Sequence, residues 1–190
     1  MTTATRSASR TSPAFSSRLR GLYFVRFGFA VIWGAVLFLA ATSLNPLLTT
    51  LVIVYPLVDA AAVLWQLRTE PRTQASRRFE WLNVVVSVLA AGALAVASFN
   101  SLGSVLTAWG VWAVVSGITQ LIAAVLRRRD GGQVPLIISG ALSVGAGISF
   151  IVMATHDVPS VAALATYAIP GGVFFLVSAI RLSFLLRRAA

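Results

Sequence analysis

Segments bearing arginine or loop residues divide the chain into six runs of about 20 mostly apolar residues, the length at which an α-helix crosses the roughly 30 Å hydrocarbon core of a bilayer. They extend from about Leu22 to Ala41, Leu47 to Leu67, Trp81 to Ala97, Val105 to Leu126, Pro135 to Ala154 and Ser160 to Leu186. In hydrocarbon every backbone N–H and C=O must be paired internally, so such runs predict an all-α integral membrane protein with six transmembrane helices. The composition agrees: 58% of the side chains are hydrophobic and 11% charged, against about 25% charged in soluble domains. The runs leave no room for a separate soluble domain.

Residues 1–20 differ, being rich in Ser, Thr, Ala and Arg with few large apolar side chains. They predict a disordered basic tail ahead of one membrane domain over residues 21–190. The apolar run that follows is longer than the roughly 7 to 15 residues of a signal-peptide core, so it reads as a retained first helix.

All 15 basic residues are arginines. They fall before or at the start of the first run, between the second and third, between the fourth and fifth, and at the end of the sixth. Arg68, Arg72, Arg77 and Arg78 mark the second group and Arg127, Arg128 and Arg129 the third. The three intervening links carry none. The positive-inside rule therefore predicts that both termini are cytoplasmic. The net charge of +10 becomes a topology signal and an attraction for anionic lipid head groups, worth about 1 kcal/mol per residue near the surface. Membrane lipids are the expected partners and nucleic acid is not. A second copy of the chain or another membrane protein is a further candidate.

The chemistry excluded is broad. With no cysteine and one histidine, disulfides, thiolate catalysis and Cys/His metal sites have no ligands. No His-Glu-x-x-His, Walker loop or Gly-x-Ser-x-Gly elbow is present. The sequence predicts a protein that is not an enzyme and holds no metal or cofactor.

An internal repeat of about 60 residues underlies the six runs. Val58-Asp59-Ala60 before Arg68, Val115-Ser116-Gly117 before Arg127 and Val177-Ser178-Ala179 before Arg187 align with one another. This predicts three helical hairpins, over about 21–68, 77–129 and 133–188, around a pseudo-threefold axis. Tandem helix pairs whose second helix ends as in Trp112-Ala113-Val114-Val115-Ser116-Gly117 through Leu126-Arg127 resemble the HdeD-type acid-resistance membrane proteins, a short-repeat family of largely unknown function. The resemblance covers about residues 21–188. It implies a bacterial inner-membrane protein linked to acid or envelope stress, and carries over no catalytic or binding residue.

Asp59 breaks the repeat, standing where the other two copies have Ser116 and Ser178. A charge near the bilayer centre costs about 2.5 kcal/mol or more, so it is expected to face the bundle interior and find a partner. Arg26 and Arg181 are the candidates. Two readings follow: a static polar lock holding hairpin one against hairpin three, or a protonation-sensitive site of a small proton-coupled transporter or channel component. His156 and Asp157 form a second, outer-face candidate for pH sensing, with ordinary capping of the sixth helix as its alternative. Ala30 with Gly34, Ala113 with Gly117, Ser139 with Ser143 and Gly147, and Ala168 with Gly172 show the small-xxx-small spacing of close helix contacts. Pro56 and Pro170-Gly171-Gly172 predict kinks, or breaks that expose carbonyls to a solute.

Overall fold

The computed structural model describes residues 13–40, 43–69, 74–126, 134–156, 160 and 162–189. They form six α-helices: α1 (Pro13–Ala40), α2 (Pro46–Thr69), α3 (Gln74–Ala97), α4 (Leu102–Leu126), α5 (Val134–Met153) and α6 (Ala162–Ala189). Five of them, all but α5, are long and apolar enough to cross a membrane, while α5 carries the shorter apolar stretch Ile137–Met153.

The helices reach further than the apolar runs. α1 begins at Pro13, inside the segment expected to be a disordered tail, because proline fixes a helical φ and its missing N–H costs nothing in a first turn. Likewise the polar stretch Arg68 to Glu80 is largely taken up by the ends of α2 and α3, since arginine, glutamine and glutamate propagate helices well once outside hydrocarbon. Asn45 Oδ1 accepts from the Leu48 N–H at 2.8 Å and Ser101 Oγ from the Ser104 N–H at 3.0 Å. These caps satisfy orphan donors at the starts of α2 and α4. Both α2 and α6 continue through their internal prolines, Pro56 and Pro170.

Each helix touches its neighbours in sequence and α6 returns to α1, which closes a ring. The most extensive contacts are α4 with α5 and α1 with α6, whereas α1 with α2 and α5 with α6 meet little. The small residues explain the two tight seams. A Cβ on Gly110 would lie 2.6 Å from the Gly147 carbonyl oxygen, and one on Gly117 2.7 Å from that of Gly140. Across α1 and α6, Gly34 faces Ala168 and Gly172 faces Ala30, at 3.6 and 3.5 Å from the glycine Cβ positions. These pairings run antiparallel and lie within one chain.

On one side of the ring an aromatic cluster fills the interior. Trp33 stacks on Trp109 with centroids 5.4 Å apart, and Trp109 meets Trp112 edge-on at 5.1 Å. Trp33 Nε1 donates to the Leu51 carbonyl at 2.8 Å, which ties α1 to α2.

Candidate functional site

Where the α1–α2 and α5–α6 seams are loose, the ring leaves a partly open cavity of about 1140 Å³ whose wall includes residues of all six helices. This exceeds the roughly 300 to 1,000 Å³ of a small-molecule pocket. The wall runs from Leu19, Gln66 and Arg181 at one end to Met153 and Ala163 at the other.

Asp59 sits in this wall, midway along α2. Its Oδ1 accepts from Arg26 Nη2 of α1 at 2.6 Å. Its Oδ2 accepts from Asn83 Nδ2 at 3.0 Å and from Ser87 Oγ at 3.3 Å, both on α3. Residues four apart share one helix face, so a single face of α3 supplies both donors. α4 supports them: Trp112 Nε1 donates to Ser87 Oγ at 3.1 Å, and the Thr119 hydroxyl lies 3.4 Å from Asn83 Oδ1. Ser87 is fully buried. The Arg26 and Asp59 side chains are 14% and 18% exposed, enough for both to border the cavity. Arg26 also lies over the Phe175 ring of α6, its guanidinium carbon 4.1 Å from the centroid, a cation–π contact.

Of the residues singled out in the sequence, Arg26 meets Asp59. Arg181 lines the same cavity but is exposed, and among the described residues it makes no ion pair. Ser116 and Ser178, the repeat counterparts of Asp59, also line the cavity, and the Ser116 hydroxyl is buried without a described hydrogen-bond partner. All three aligned positions thus converge on one space. His156 is exposed in the turn after α5, and Asp157 lies outside the described residues.

Sequence reasoning missed Asn83, Ser87, Trp112 and Thr119. A signal was present, since Asn83 is the only asparagine inside an apolar run and Ser87 follows it at helical spacing. Also unforeseen was an aromatic wall: Tyr55, 5.9 Å from Trp112 between centroids, and Tyr167, 5.6 Å from Phe150. Tyr167 is held by a 2.9 Å hydrogen bond with Ser143, whereas the Tyr55 hydroxyl makes no hydrogen bond to a described residue and faces the small Gly171.

Chemically, the Asp59 carboxylate accepts from three donors, one of which is a cation. A proton reaching the carboxylate would dissolve the link to that cation. Among the described residues no group of His, Cys, Asp and Glu is arranged to hold a metal ion.

Residues 82–152, spanning most of α3, all of α4 and nearly all of α5, match the family model of a short repeat of unknown function (DUF308). No curated protein and no solved structure matches the chain.

Proposed function

We propose that this protein crosses the bacterial cytoplasmic membrane six times, as three helical hairpins with both termini inside. It serves acid or envelope stress resistance without catalysis, as a small proton-coupled carrier or channel component. The Asp59–Arg26 pair is its proton site. One observation carries this reading: the ion pair is set into the wall of a cavity rather than sealed within packed side chains. A purely static lock needs no such opening. Anionic lipids at the arginine-rich helix ends complete the set of partners.

The physical cycle is short. A proton on Asp59 cancels its charge and leaves Arg26 without a counter-ion, an arrangement costly in a low-dielectric interior. Arg26 then reorients or takes another anion. It belongs to α1, and α1 meets α2 only loosely, so the pair sits on one of the two seams with little packing to lose. A charge change at a weakly packed seam is the ordinary basis of a local switch.

The test uses the full chain in liposomes loaded with a pH-sensitive dye. Acidification outside should give faster internal acidification with the wild type than with empty vesicles. Asp59→Asn, which keeps the shape and removes the titration, should reduce the rate to that of empty vesicles. Equal rates for the wild type and a correctly inserted Asp59→Asn variant would reject the site. In a deletion strain, the same variant at equal expression should fail to restore acid survival.

A further inference from the structure

We infer that the cavity binds an organic anion with an apolar body, its charged group on Arg26, and that binding is coupled to protonation of Asp59. The inference rests on the proton site proposed above and adds the ligand class.

The walls divide by chemistry. Tyr55, Trp112, Phe150 and Tyr167 offer an aromatic surface, and Arg26, Asp59 and Arg181 lie along the same space. An aromatic surface beside a carboxylate would suit an organic cation. The hydrogen-bond inventory decides against that. A carboxylate has about four lone-pair sites, and on Asp59 three are taken, by Arg26, Asn83 and Ser87. More unused capacity lies on the donor side. A guanidinium carries five N–H donors, of which Arg26 gives one to Asp59 among the described residues. Arg181 makes no ion pair among them, and the Tyr55 hydroxyl makes no hydrogen bond to them. Guanidinium donors match the oxygens of a carboxylate or sulfonate in the plane of the fork, and the Phe175 ring backs the Arg26 guanidinium, its centroid 4.1 Å from the guanidinium carbon.

The coupling follows from competition. Asp59 is itself the anion that occupies Arg26, so an external anion gains the site when Asp59 is neutral. One proton enters on the carboxylate as one anion enters on the guanidinium, and the cavity's net charge is unchanged. The titratable and charged groups around the cavity are Tyr23 and Arg26 on α1, Tyr55 and Asp59 on α2, Glu80 on α3, and Tyr167 and Arg181 on α6. α4 and α5 contribute none to the wall. Anion affinity therefore rises as pH falls.

The probe is benzenesulfonate, which stays ionised throughout, titrated calorimetrically into the full chain in lipid nanodiscs at about pH 5 and about pH 8. Benzyltrimethylammonium serves as the charge control. The wild type should bind benzenesulfonate about tenfold more tightly at the lower pH, within the usual range of coupling. Asp59→Asn, in which Arg26 is permanently released, should bind tightly at both pH values. The double variant Asp59→Asn with Arg26→Gln, which leaves no unpaired charge at this site and so guards against misfolding, should lose binding. Tighter binding of benzyltrimethylammonium, or benzenesulfonate affinity unchanged in the double variant, would overturn the inference. Asp59-dependent proton uptake by vesicles without benzenesulfonate binding would reject the ligand class and leave the proton site standing.

Discussion

Asp59 is held from three directions, by Arg26 of α1 and by Asn83 and Ser87 of α3. Ser87 is the hinge of that support, since its hydroxyl donates to Asp59 and accepts from Trp112. Replacing Ser87 with Ala removes both bonds and leaves the indole N–H unsatisfied. Polar contacts between membrane helices average about 0.6 kcal/mol and reach about 1.7, so Ser87→Ala should cost about 1 kcal/mol. Thermal unfolding in detergent should show a small drop in Tm with the helical content intact. A Tm equal to wild type would mean that the network contributes nothing to stability. At this scale Asp59 was legible in the sequence because a carboxylate in an apolar run is expensive. Asn83 gave a weaker signal, as the only asparagine inside an apolar run, and Thr119 gave none, because neutral polar side chains are tolerated in such runs. Which of them meet depends on how α3 and α4 are rotated, and no local pattern encodes that.

Among the elements, glycine positions separate seams that need close approach from faces that do not. On the α4–α5 seam, Gly147→Ala would push a Cβ to 2.6 Å from the Gly110 carbonyl oxygen and 2.8 Å from the Val114 nitrogen. Backbone cannot yield as a flexible side chain can, so the helices must part. The expected outcome is a lower Tm and poorer yield of folded protein. Gly92 and Gly145 have no neighbour within 4 Å of an added Cβ. There, Gly→Ala should be neutral or should stabilise by about 0.5 to 1 kcal/mol, because alanine loses less backbone entropy in a helix. A Gly147→Ala variant as stable as Gly92→Ala would contradict the packing described. The small-xxx-small spacing made the α1–α6 contact legible, residue for residue. On the α4–α5 seam the spacing named Gly117 and Gly147, while their partners Gly140 and Gly110 lay at seven-residue intervals that it did not address. Proline was less informative: both internal prolines are carried within continuous helices.

For the whole molecule, the arginine pattern and the closed ring bear on topology together. The antiparallel pairings bring Arg18, Arg20, Arg68, Arg77, Arg78 and Arg187 toward one end of the bundle. The absence of native cysteine allows a clean test: single cysteines at Asn100 or His156 should react with an impermeant thiol reagent from outside intact cells, and one at Arg78 only after permeabilisation. Reversed accessibility would invert the proposed orientation. The six apolar runs made the six helices legible, whereas the repeat pointed to packing within each pair and the tightest seams, α4–α5 and α1–α6, lie between pairs. The cavity was not legible, because it arises where α1 and α2, and α5 and α6, fail to pack, and a missing contact leaves no periodic trace. Proton coupling at this site requires one property, that the Asp59 carboxyl exchanges its proton with water through the cavity. Infrared difference spectroscopy of the membrane-embedded protein across a pH step measures this directly. It should show a protonated-carboxyl band growing on acidification, shifting in D2O and absent from Asp59→Asn. A wild-type spectrum identical to that of Asp59→Asn in this region would contradict it.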